Sequence, residues 1–196
     1  MMKPCQIEPN ELKYHMKVVI MRIIKPTYFL LTIMILSGCQ TMKPIKTVDY
    51  VDLNRFMGDW YVIANIPTFI ETDAYNAIES YRLNQDGTVA TTFRFNKGSS
   101  DGPLKEYHPR GFVRDAQSNA VWGMQFVWPF KAEYRIIYLN DDYSVTVIGR
   151  TKRDYVWIMA REPAITAEEY ARITDFLKEQ GYEIDKLQKV PQFIPD

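Results

Sequence analysis

From Phe56 to Glu162 apolar and polar residues alternate in short runs, each ended by a cluster of turn-forming residues, which is how antiparallel strands with two unlike faces read in sequence. The breaks fall at Asn84-Gln85-Asp86-Gly87, at the Gly- and Ser-rich stretch 96–103, at 115–119, at Asn140-Asp141-Asp142 and at 151–154. They leave eight runs of strand length: 59–67, 75–84, 87–96, 107–114, 120–127, 133–139, 143–150 and 154–161. Eight short strands joined by hairpins suit an all-β, up-and-down antiparallel barrel, because closing the sheet removes its exposed edges.

After Pro163 the period changes. In TAEEYARITDFLKEQGY, Thr166 and Glu169 form a capping box, Tyr170, Ile173 and Leu177 recur at helical spacing, and Gly181 supplies a stop. One C-terminal α-helix is expected, packed by that apolar stripe on the outside of the barrel wall.

Upstream the pattern differs again. From Met21 the chain reads MRIIKPTYFLLTIMILSGC, with Arg22 and Lys25 ahead of an apolar run from Tyr28 to Leu36 and small residues before Cys39. This is the build of a signal peptide, and the run is short of the roughly 20 residues that span a bilayer. Leu36-Ser37-Gly38-Cys39 resembles the lipobox of bacterial lipoproteins, in which the cysteine thiol takes a diacylglyceryl group and becomes the mature N-terminus. Gln40 and Thr41 follow with no Asp, as in lipoproteins sent on to the outer membrane. Residues 1–20 are polar and charged, and translation is expected to start at Met21. The chain then divides into an extension and signal peptide (1–38), a lipidated tether (39–52) and a barrel domain with its helix (53–196).

Charge narrows the partners. The whole chain carries 24 basic and 24 acidic residues, and losing five basic and two acidic residues with 1–38 leaves 19 and 22, mildly acidic. No Lys/Arg block is present, so nucleic acid is not a partner. The two cysteines, Cys5 and Cys39, both precede the barrel and build no disulfide framework. Past Cys39 there is one histidine, His108, beside a strand-weakening Pro109, and neither a metal-ligand spacing nor a G-x-S-x-G elbow occurs. No catalytic, metal or cofactor site is assigned, and His108 is expected at a surface or rim.

Gly58-x-Trp60 at the start of the first strand, with Arg161 ending the last one before Pro163, resembles the lipocalin family. The resemblance runs from Phe56 to about Gln192, and within it Trp122 to Arg161 and the terminal GYEIDKLQKVPQ are most like bacterial outer-membrane lipocalins. It implies a cup-shaped barrel whose floor is closed by Gly58, Trp60 and Arg161, the guanidinium lying over the indole. It implies a lipid-anchored outer-membrane protein that binds, stores or transports a fatty acid or lysophospholipid; a homodimer stays open. The alternative is a structural lipoprotein whose barrel is packed solid and whose role is protein contact.

With Trp60 and Arg161 fixing the phase, period-two alternation divides each strand into lumen and outer sets. The lumen set also holds Phe95, Gly111, Val113, Ile136 and Met159. Its candidate ligand contacts are Val62, Ala64, Ala77, Glu79, Tyr81, Thr91, Phe93, Trp122, Met124, Phe126, Tyr134, Tyr155 and Trp157. Ala64, Ala77, Thr91 and Gly111 are small, and the space they leave argues for a cavity. A slip of one residue reverses a strand's assignment. Glu79 stands either in water at the rim or in the lumen with Tyr81, Tyr134 or Tyr155 as hydroxyl partner.

Replacing the acylated thiol tests the anchor. Cys39→Ser is expected to give a protein without acyl label that leaves the membrane fraction; a serine variant that stays membrane-bound without label removes Cys39 as the anchor.

Overall fold

The computed structural model describes residues 44–193. Cys39, the apolar run before it and the start at Met21 lie outside the described residues. A single helical turn, α1 (Leu53–Phe56), leads into β1 (Gly58–Ile66), β2 (Ala74–Leu83), β3 (Thr88–Lys97), β4 (Leu104–Tyr107), β5 (Arg110–Val113), β6 (Val121–Val127), β7 (Phe130–Leu139), β8 (Val145–Gly149) and β9 (Val156–Ala160). Helix α2 (Ala167–Glu179) follows, then a 3₁₀ turn and a two-residue strand, β10 (Gln188–Lys189).

The strands pair antiparallel in the order β1-β2-β3-β5-β6-β7-β8-β9, and β9 returns to β1, so the sheet closes. β4 and β5 both pair with β3 and share one position in the ring, which makes the barrel eight-stranded. Sequence pattern had this position as one strand, 107–114. Proline has no N–H to give to a ladder, and the run breaks at His108-Pro109; the Pro109 carbonyl still accepts from Thr91 N at 3.2 Å.

Alternation separates two apolar layers. The lumen holds, among others, Trp60, Val62, Ala77, Tyr81, Phe93, Phe95, Trp122, Met124, Tyr134, Ile136 and Met159. The second layer lies against α2, where Ile173 and Leu177 pack with Ile137, Val147, Ile158 and Ala160. Thr166 caps this helix by accepting from Glu169 N at 3.1 Å.

Ala64 belongs to the second layer and not to the lumen, which corrects its assignment as a ligand contact. The β1–β9 ladder matches Val62 to Met159 but Ala64 to Ile158, so Ile63 is an extra residue on β1. Such a bulge reverses the phase of everything beyond it. Ala64 and Ile66 therefore face α2.

At one end of the barrel the chain builds a floor. Asp52 caps α1, its Oδ1 accepting from Asn54 N at 2.9 Å, and buried Phe56 projects inward. Trp60, fully buried, donates from Nε1 to the Phe56 carbonyl at 2.9 Å. The Arg161 guanidinium lies 3.8 Å from the Trp60 ring and donates to the carbonyls of Asp59 (2.7 Å), Arg55 (2.9 Å), Phe56 (3.1 Å) and Met57 (2.8 Å). Those last carbonyls end α1 and have no intrahelical donor, so the arginine acts as their cap. Tyr143 holds a left-handed φ of 63° beneath this cluster, its hydroxyl accepting from Asp52 N at 2.8 Å.

Two ends of the described chain complete the wall. Residues 44–52 of the expected tether pack onto the barrel: Ile45 and Val51 are buried, and Val48 N donates to Ile136 O at 3.0 Å. At the other end, residues 188–193 wedge between β1 and β2. Those strands pair directly only from Gly58–Tyr81 to Tyr61–Ile78; beyond that, β10 pairs with Ala64 and Asn65. Gln192 Nε2 then donates to the carbonyls of both Val62 (2.8 Å) and Ala77 (3.1 Å), bridging the gap.

Trp60→Ala is expected to destabilise by about 3–5 kcal/mol, because a fully buried indole leaves a large void. Arg161→Ala also destabilises, and since the two side chains touch, their losses fall short of adding by about 1 kcal/mol or more. Urea unfolding of the two single variants and the double variant measures this; simple additivity contradicts the coupling.

Candidate functional site

The floor residue Phe56 begins an aromatic layer across the barrel. Its ring centroid stands 5.0 Å from Trp60 and 5.6 Å from Trp122, and Trp122 stacks on Tyr134 at 5.1 Å. Tyr81 meets Trp122 edge-on at 5.8 Å. Over this layer the lumen is open, leaving a cavity of about 420 Å³, within the roughly 300–1,000 Å³ usual for small-molecule sites.

Glu79, Thr91, Phe93, Met124, Phe126, Tyr134, Tyr155 and Trp157 line this cavity. Val62, Ala77, Tyr81 and Trp122 also face the lumen but are packed within its apolar layer and present no face to the cavity. The space left by small residues is taken elsewhere: a Cβ at Gly111 would stand 3.2 Å from Val89 Cβ and 3.5 Å from Trp122 Cε3. Of the four small residues that argued for the cavity, Thr91 alone borders it. The segment 188–193 inserts between β1 and β2 in the wall, and none of its residues borders the cavity.

Alternation missed much of the wall. Thr68, Phe69, Ile70 and Glu71 come from the β1–β2 loop, His108 and Pro109 from the break between β4 and β5, and Val127 and Arg150 from strand ends. Loops carry no period-two signal. Ala132 was reachable, since β7 starts three residues earlier than expected and Ala132 is one period before Tyr134. His108 stands at the rim, two-thirds exposed, with Nε2 3.0 Å from Glu106 Oε1.

The acidic residues here sit in three different states. Glu79 faces the cavity and accepts from the Tyr81 hydroxyl, which stands 2.8 Å from the Tyr134 hydroxyl. Burial pushes its carboxyl up to about 8, with the charge of Glu71 adding to the effect. Glu79 is therefore neutral at pH 7 and adds no charge to the lumen. Burial and the nearby Glu79 hold the Tyr134 hydroxyl well above its usual range. Glu71 is buried with both carboxyl oxygens satisfied, by Thr68 N at 2.9 Å and Trp157 Nε1 at 3.0 Å. For Glu133, burial is outweighed by donation from Arg135 Nε (2.5 Å) and from Thr151, so its carboxyl falls below the usual range. The cavity is thus a largely apolar pocket in which neutral Glu79 and the hydroxyls of Tyr134 and Thr91 supply hydrogen-bonding groups.

Residues 51–192 match the family model of the lipocalin-like domain. Among curated proteins, the chain is 30% identical over 159 residues to temperature-induced lipocalin-1 of Arabidopsis thaliana, covering 76% of this chain and 84% of that protein. It is 27% identical over 177 residues to the outer membrane lipoprotein Blc of Citrobacter freundii, covering 88% and 98%. Among solved structures, the cockroach allergen Per a 4 superposes with a TM-score of 0.58 at 18% identity, covering 80% of this chain and 96% of that one. That last likeness shows the fold alone.

The raised Glu79 pKa makes stability depend on pH in a stated direction. Its neutral form is favoured in the folded protein, so its contribution is complete below pH 4.5, declines as pH rises from 4.5 to about 8, and changes no further above that. Glu79→Gln keeps a neutral polar group and removes this loss. The melting-temperature difference between the variant and the parent is expected to grow from pH 4.5 to pH 8, by at most about 1.4 kcal/mol of stability per pH unit, and then level off. A difference that stays constant with pH contradicts a neutral Glu79.

Proposed function

Starting from what the chain is, a member of the lipocalin family, we propose that it holds an acyl lipid, a fatty acid or lysophospholipid, in the barrel cavity and stores or carries it at the cell envelope, while a lipid on Cys39 keeps it at the outer membrane. The family supports binding of a hydrophobic small molecule in the lumen and a binding role instead of catalysis. One observation carries the reading for this chain: a floor sealed by Trp60 and Arg161 under an open cavity of about 420 Å³. A barrel packed solid for protein contact leaves no such volume. The location rests on the LSGC motif together with three relatives, from Vibrio cholerae, Citrobacter freundii and Escherichia coli, that are named outer membrane lipoproteins.

In this reading Phe93, Met124, Phe126 and Trp157 contact the acyl chain, and its tail reaches toward Tyr134 and Thr91. Glu79 in its neutral form can lie beside methylenes without an unpaired charge being buried, a cost that would otherwise defeat apolar binding. The polar head group stays at the mouth, near Arg150 and His108.

A bulky residue at 64 would press on α2, so the volume test belongs at Thr91, whose Oγ1 lies 3.8 Å from Met124 Sδ on the cavity wall. Thr91→Trp is expected to lower affinity for a fluorescent fatty acid by tenfold or more, with the melting temperature within a few degrees of the parent. Mass spectrometry of organic extracts is expected to find a monoacyl lipid copurifying with the parent. Unchanged binding by Thr91→Trp, or an extract free of lipid, counts against the proposal.

A further inference from the structure

The mouth of the cavity is ringed by large apolar side chains that nothing in the described fold covers. On the β6–β7 hairpin, Val127 is 68% exposed, Trp128 80% and Phe130 75%; across the opening, on the β1–β2 loop, Phe69 is 85% exposed. Phe69 and Val127 both line the cavity, so the two clusters flank one aperture. Single exposed apolar residues are ordinary on a protein surface, whereas a grouped set marks an interaction site. Lys131 continues the hairpin and is exposed, its Nζ 3.3 Å from the Phe112 ring. Trp and Phe beside a lysine are the side chains that settle at the boundary between acyl chains and head groups.

The course of the chain points to the same occupant. Lys46 and Gln180 border one surface groove, so the first described residues leave the fold beside the C-terminal end of α2. That end is tied to the β8–β9 turn at the mouth, Arg153 Nε donating to Gln180 O at 3.2 Å. Cys39 stands five positions before residue 44, at most about 18 Å of extended chain. A lipid on that cysteine would thus hold the mouth end within reach of the bilayer.

We propose that the barrel docks mouth-down on a phospholipid bilayer, with Trp128 and Phe130 seated among the acyl chains and the cavity opening onto the membrane. A lipid then passes between bilayer and lumen without its chain crossing water. The docking goes beyond the binding of a ligand and is read separately from it.

The test uses the full chain with vesicles of phosphatidylcholine and phosphatidylglycerol whose acyl chains carry bromine, a short-range quencher. The fluorescence component that vanishes in Trp128→Phe is expected to shift to the blue on the vesicles and to be quenched by at least half. Phe130→Asp, at a position outside the cavity wall, is expected to remove most of that quenching while fluorescent fatty-acid affinity stays within threefold, which separates docking from cavity binding. Three results overturn the proposal: no association with the vesicles, a Trp128 component that stays unshifted and unquenched on vesicles that do hold the protein, or a lipid-free dimer that Phe130→Asp dissociates, which assigns the patch to a second copy.

Discussion

The guanidinium of Arg161 is the contact on which the rest of the barrel depends. It stacks on Trp60 and gathers the carbonyls that end α1, so one side chain joins the first and last strands of the ring to the segment beneath them. Among them, the Phe56 carbonyl also accepts from Trp60 Nε1, while those of Arg55 and Met57 take Arg161 as side-chain donor. Gly58 belongs to the same unit. Its φ is +97°, and a Cβ there would stand 3.2 Å from Arg161 Nη1. Glycine, tryptophan and arginine are each required by the other two, which gives the Gly-x-Trp…Arg pattern a physical meaning beyond family likeness.

With the floor fixed, the two ends of the barrel acquire opposite characters. The floor is dense with satisfied carbonyls, the guanidinium groups of Arg55 and Arg161, and interlocked aromatic rings. The mouth is wide and bordered by exposed Phe69, Val127, Trp128 and Phe130. Between them the carboxyls grade from neutral Glu79 in the lumen to Glu133, held charged by Arg135 and Thr151 near the mouth. The same residue type takes opposite states because one lacks a cation and the other has one within hydrogen-bond distance.

Barrel and helix were legible in sequence because each rests on a local signal, alternation and a capping box, whereas the floor was legible through the family resemblance carried by Gly58-x-Trp60 and Arg161. Placement of individual lumen residues was legible only where the ladder stays regular. Tyr134, Phe93 and Trp157 follow the expected phase, while Ala64 does not, because an aliphatic bulge at Ile63 carries no Gly or Pro to announce it. Gly111 misled for a different reason. Its missing side chain makes room for the Trp122 ring, and a partner on another strand cannot be seen from one strand's pattern. Glu71 was invisible because a loop residue has no phase, and its two donors, Thr68 N and Trp157, are set by tertiary geometry.

The wedge formed by residues 188–193 bears on how the molecule is made. Gln192 joins Val62 and Ala77, partners 130 and 115 positions away, so this part of the wall cannot be completed until Gln192 is in place. Contacts so distant in sequence form late and slowly, since a long loop must first be closed. Until then the outer half of β1 is an unpaired edge, the kind of surface on which unfinished chains aggregate. Closure of this part of the wall therefore waits on residues 188–193. The segment 188–193 works as a latch on the finished barrel, so a change there acts on closure itself.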